Sequence, residues 1–179
     1  MIQNKGPHIL LEALHRLASE RLDFTASFLG DGPMRRGLER KAKALRLEQQ
    51  VRFAGHVDDV ARQLANADIF VRPSLTEGLP LAVLEAMAAR VCVVASDIPG
   101  NRDLVRNELN GLLFKPYDSS SLADALRRAL RSPLEARSLA EAGYETARSY
   151  SWENAARRTA ESLLTAALLT PRSDERNAA

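Results

Sequence analysis

The sequence predicts an α/β fold, a parallel sheet with helices on both faces. Three observations predict it. Apolar periodicity switches repeatedly between strand-like runs and helical spacing along the 179 residues. Val91-Cys92-Val93-Val94-Ala95 is apolar without a break, as in strands buried on both faces. Strand and helix patterns alternate, which calls for parallel strands with crossover helices, a Rossmann-like layering.

Pro7 opens the first helical stretch, with Ile9, Leu10, Ala13, Leu14 and Leu17 on one face. Residues 24–29 read as a strand. Gly30-Asp31-Gly32-Pro33 is a turn, and proline suits the first position of the helix that follows. Residues 51–54 form a short strand, 60–67 a helix and 69–72 a strand. The loop 73–79 leads to a helix opened by Pro80. Residues 91–95 are the continuous apolar strand, and 111–114 form a last short one. Leu122, Ala125, Leu126, Ala129 and Leu130 then repeat at i, i+3, i+4, i+7 spacing. A second closing helix is expected over 134–148. A third is expected after Ser151, a good N-cap, and runs to 169. Residues 1–169 read as one domain and 170–179 as a disordered tail.

Bulk composition excludes several classes. The net charge of +2 does not point to nucleic acid. Arginines are spread along the chain and pair with acids at helical spacing, as on a solvated face. The single cysteine, Cys92, rules out an internal disulfide and a multi-cysteine metal site. No metal-ligand spacing appears. Neither a signal peptide nor a membrane-spanning run is present, so the cytoplasm is the expected compartment.

In parallel α/β sheets ligands sit at the carboxyl ends of the strands. The most informative such loop reads Pro73-Ser74-Leu75-Thr76-Glu77-Gly78-Leu79-Pro80. Gly78 lets backbone approach a ligand closely. Pro80 starts a helix, whose free N–H groups suit a phosphate or pyrophosphate. Glu85 lies about 7.5 Å along that helix, where a carboxylate can accept from both hydroxyls of a ribose. Glu77 would then face whatever the far phosphate carries. Taken alone, the two glutamates are equally readable as a solvated helix acid and a loop acid.

Glu77-x7-Glu85, set in Pro73-Ser74-x-x-Glu77-Gly78-x-Pro80 and followed by Ala86-Met87-Ala88, resembles the signature of retaining glycosyltransferases of family 4, the group 1 glycosyltransferases. Further pieces resemble that family in order: Lys5-Gly6, Gly30-Asp31-Gly32-Pro33, Val51-Arg52-Phe53-Ala54-Gly55, Ala67-Asp68-Ile69-Phe70-Val71, Asn110-Gly111-Leu112-Leu113-Phe114 and Ser151-Trp152. The resemblance covers residues 5–164 and implies the C-terminal, nucleotide-sugar-binding half of a two-domain GT-B fold. It implies that Glu85 binds the donor ribose and Glu77 the hydroxyls of the donor sugar. Amides near Gly78, Leu79, Leu81 and Ala82 would hold sugar and diphosphate. Lys5 would neutralise the departing diphosphate, and His56-Val57 would lie near the base. It further implies sugar transfer with retention, no catalytic metal and no cofactor beyond the nucleotide-sugar substrate. The acceptor would sit on a separate or absent N-terminal domain, through which alone a membrane would be met.

The chain also departs from the family pattern. Arg90 stands where a left-handed glycine is usual, at a cost of about 1 kcal/mol. Pro99-Gly100-Asn101-Arg102-Asp103 keeps one of two usual glycines. The family's first strand and its glycine-arginine are not found before Lys5. In the order 3-2-1-4-5-6 that strand is central, so a gap is expected between strand 24–29 and strand 69–72, unless the two re-pair. The helix from Trp152 would expose Ala156, Leu163, Leu164 and Ala167. A non-catalytic nucleotide-binding partner subunit and a degenerate fragment are the alternative readings.

Overall fold

The computed structural model describes residues 1–150. Met1–Ala147 forms one compact unit, and Arg148–Ala179 groups apart from it. The helix expected from Trp152 and the tail at 170–179 lie outside the described residues.

A 3-10 turn at Gln3–Lys5 leads into α1, Pro7–Ser19. Then follow β1 (Ala26–Leu29), α2 (Arg35–Ala44), β2 (Val51–Gly55), α3 (Val60–Ala65), β3 (Ile69–Arg72) and α4 (Leu81–Ala88). The chain continues through β4 (Cys92–Ser96), α5 (Pro99–Arg102), β5 (Leu112–Phe114), α6 (Ser119–Arg131) and α7 (Pro133–Ser149). The expected alternation is present and every strand pairing is parallel.

Boundary differences have physical causes. Val91 N–H donates to Ala86 O, closing the end of α4, so pairing in β4 starts one residue later, where Cys92 N–H reaches Asp68 O. Helix α2 starts at Arg35 rather than Pro33, after Met34 N–H has bonded Met1 O. Pro80 caps α4 from outside instead of opening it. The four-residue α5, begun by Pro99, is too short to leave a periodic signal.

The strands form two sheets, β1-β2 and β3-β4-β5, with no ladder between β1 and β3. The expected gap is therefore present, and the two flanking strands have not re-paired. Strand β4 shows why both faces are layered. Cys92 and Val94 point into one core with Leu11, Leu17, Phe114 and Leu122, from α1, β5 and α6. Val93 and Ala95 point to the other, with Val83, Ala86 and Met87 of α4. Each buried valine contributes about 1.5–3 kcal/mol. Burial pushes the Cys92 thiol up to about 11, so it is inert at neutral pH.

Arg90 does adopt the left-handed conformation, at φ 56°. Its guanidinium stacks over the Tyr144 ring at 3.6 Å and donates to Glu141 at 3.0 Å. These contacts to α7 offset the backbone cost that glycine would avoid.

The seam beside β3 makes a local prediction. Asp68 O accepts from Cys92 N, and a parallel strand bonds a given neighbour at every second residue. Phe70 and Arg72 therefore face β4, while Ile69 and Val71 turn their amides to the seam. Hydrogen exchange should be at least about tenfold faster at Ile69 and Val71 than at Phe70 and Arg72. Equal protection at all four would show that the seam is closed in solution.

Candidate functional site

The carboxyl end of β3 is where the chemistry gathers. Gly6 takes a left-handed conformation, and a Cβ there would lie 1.9 Å from Pro73 O. Asn4 O accepts from Leu75 N–H at 2.8 Å. These two contacts lay the N-terminal segment against the β3–α4 loop and set Lys5 beside Glu77.

Lys5 Nζ donates to Glu77 Oε1 at 2.9 Å and to Oε2 at 3.0 Å. Arg72, the last residue of β3, donates from Nε to the same Oε1 at 2.7 Å, and its Nη2 lies 2.6 Å from it. The Glu77 side chain is only 8% exposed, so its charge depends on these partners. Burial is the largest single influence and pushes its pKa up. The Ser74 hydroxyl, Lys5 and Arg72 together outweigh it and hold the carboxyl below its ordinary value. Ser74 Oγ is buried and makes no completed hydrogen bond among the described residues.

A buried polar layer supports this loop. Ser96 Oγ donates to Ser74 O, and Asn101 Nδ2 donates to Ser96 O at 2.9 Å. Gly100 packs so closely that a Cβ would lie 2.2 Å from Gly78 O. Gly78 itself differs: a Cβ there would meet nothing within 4 Å. The protein's own packing does not require glycine at that position.

The start of α4 faces the same loop. Leu81 N–H turns back to Leu79 O at 3.0 Å, and Val83 N–H bonds Pro80 O at 2.8 Å. Leu81 is therefore less available to a ligand than the sequence suggests. Among the described residues, the amides of Gly78, Leu79 and Ala82 have no backbone acceptor. The Glu85 side chain is exposed and makes no hydrogen bond or ion pair with a described residue. Pro80 and the buried Val83, Ala86 and Met87 fix the helix that carries it.

His56 and Val57 follow β2, in the other sheet. His56 is 84% exposed and pairs with Asp58 at 3.3 Å. No hydrogen bond or ion pair joins them to the Glu77 cluster among the described residues. A depression of about 450 Å³ lies at the turn after β1, lined by Asp31, Arg35, Arg36 and Glu39. Arg35 there bonds Asp31 at 2.9 Å and Glu39 at 2.8 Å, which fits a structural role for the turn. Among the described residues, no group of three His, Cys, Asp or Glu is placed to hold a metal ion. Arg72 is the site residue that motif reading misses. Its signal was its place as the last residue of the strand entering the loop.

The family model described as glycosyl transferases group 1 matches residues 1–146. The chain belongs to the group 1 glycosyl transferases. Within this family, it is 34% identical over 165 residues to glycogen synthase of Mycobacterium tuberculosis, covering 90% of this chain and 40% of that protein. HepE of Anabaena, in complex with UDP, superposes with a TM-score of 0.84 at 26% identity, over 92% of this chain and 46% of that one. The C-terminal domain of LpcC, a group 1 protein of Francisella tularensis, superposes with a TM-score of 0.77 at 26% identity, over 84% of this chain and 81% of that one. The chain spans 39% of a Bacillus subtilis relative and 42% of a Rhizobium meliloti one, under half the length of each. Several of its relatives are named as glycosyltransferases, and its structural neighbours have the GT-B fold. No helix among the described residues is long and apolar enough to cross a membrane.

Proposed function

We propose that this chain is the donor-binding half of a glycosyltransferase that moves a sugar from a nucleoside diphosphate to an acceptor, with retention. One observation carries the proposal. A carboxylate neutralised by Lys5 and Arg72 leads into a loop and helix start where, among the described residues, the amides of Gly78, Leu79 and Ala82 have no backbone acceptor, the Gly78 face is unfilled and the Glu85 side chain has no partner. The fold needs none of the last three, and each suits one part of a nucleotide-sugar.

The roles follow from charge and reach. Glu85 accepts from the ribose hydroxyls. The amides of Gly78, Leu79 and Ala82 meet the diphosphate and the sugar, and Glu77 orients sugar hydroxyls. Lys5 stabilises the charge that builds on the diphosphate as the glycosidic C–O bond breaks. His56 and Val57 are proposed at the base. The acceptor is proposed to bind a further domain, since the chain spans under half of its relatives' length.

Calorimetric titration with UDP, GDP and ADP tests this. The expected result is saturable binding of one of them, with UDP tried first because UDP is bound in HepE. Gly78→Ala should change stability by no more than a surface substitution does, roughly 0.5 kcal/mol, while weakening that binding several-fold. Unchanged binding in Gly78→Ala would mean that its open face is not ligand space. No binding by the folded wild type would remove the proposal.

A further inference from the structure

The Glu77 carboxylate has two cations leaning on it, one more than it needs. They differ in how they are held. Arg72 is in β3, in register with Ala95 of β4, and 22% of its side chain is exposed. Lys5 is on a single 3-10 turn, 40% exposed, with a flexible stem. Arg72 is the fixed member of the pair and Lys5 the movable one.

We propose that Arg72 is a positioning residue of the donor site: it keeps Glu77 paired, so that Lys5 is free to leave the carboxylate for the diphosphate. This rests on the donor-site reading above. The argument is one of charge left behind. A carboxylate as enclosed as Glu77 is costly to strand without a cation. With Lys5 as its sole partner, Glu77 would compete with the diphosphate for it. With Arg72 on Oε1, Lys5 moves to the incoming anion and leaves an intact ion pair behind. Two cations on one carboxylate thus give the empty site a counter-ion in reserve.

The test is UDP binding to the full chain by calorimetry, with uridine as the uncharged control. Arg72→Gln keeps a hydrogen-bond donor and removes the charge. It should weaken UDP binding by about tenfold, the size of a lost charge-assisted contact, and leave uridine binding unchanged. Lys5→Met should give a similar loss. Adding Glu77→Gln to Arg72→Gln should restore UDP affinity to within about threefold of wild type, because nothing then holds Lys5 back. A merely structural arginine would not be rescued by deleting the charge it pairs with. Arg72→Lys retains a cation and should fold and bind UDP within about threefold of wild type. Wild-type UDP affinity in Arg72→Gln, failure of the double variant to recover, or Arg72→Lys binding as weakly as Arg72→Gln would each overturn the proposal. A folded wild type that takes none of UDP, GDP and ADP fails the donor-site reading itself, and this inference falls with it.

Discussion

Glu85→Ala is expected to lower nucleotide affinity by about tenfold to a hundredfold while leaving the fold intact, since a hydrogen bond to a charged group contributes roughly 1.5–3 kcal/mol. The separation of the two effects is what makes the variant informative. Helix α4 is held by Val83, Ala86 and Met87, all buried, while Glu85 is exposed and without a described partner. Alanine is the strongest helix former, so the helix itself does not suffer. The ligand loses an acceptor for two ribose hydroxyls at once. Calorimetry with the ribonucleotide and with its 2′-deoxy analogue reads this directly. Wild type should prefer the ribonucleotide, and Glu85→Ala should lose most of that preference. An unchanged preference would place the ribose away from α4.

Gly6→Ala is expected to damage both fold and site. The residue sits at φ 62°, and its new Cβ would lie 1.9 Å from the Pro73 carbonyl oxygen. That neighbour is backbone and has no rotamer to change. The left-handed conformation alone costs a non-glycine residue about 1–2 kcal/mol, and the loop must shift as well. A total near 2–3 kcal/mol corresponds to a fall of about 4–12 °C in melting temperature for a chain of this size. The shift unseats the turn that holds Lys5 against the β3–α4 loop, so diphosphate affinity should fall with it. In contrast, Gly78→Ala changes binding alone, so the two glycines separate packing from ligand space. Wild-type melting for Gly6→Ala would show that the N-terminal turn is not seated on Pro73 in solution.

Much of the fold was legible because its signals are local. The unbroken apolar run at 91–95 predicts a strand buried on both faces, and Cys92, Val93, Val94 and Ala95 are each buried. Helix α6 follows from its apolar spacing, with Leu122, Leu126 and Ala129 inside. The seam came from the family's strand order, because no local pattern reports a missing neighbour. Boundaries shifted where a backbone bond made in three dimensions competed, as at Val91. In the candidate site, Glu77 and Glu85 were legible through a motif of fixed spacing, and Lys5 through the separate Lys5-Gly6 resemblance. Arg72 was not, because its meaning lies in a contact across the loop to Glu77. The sequence also suggested that Lys5 lacks an arginine companion. The structure places one at the end of β3, in a position no linear motif marks.

The seam between β1 and β3 has a consequence for the molecule in bulk. Ser27 and Leu29 on one side, and Ile69 and Val71 on the other, offer unspent donors and acceptors on strands that already have their extended shape. Such edges are templates, and proteins usually blunt them with charge, proline or a bulge. Here β3 turns Ile69 and Val71 to the seam, both only half-buried, with Arg72 the sole charge among its four residues. Concentrated solutions of this chain should therefore self-associate through strand exchange, and a short extended peptide matched to the seam should act as a capping agent that suppresses it.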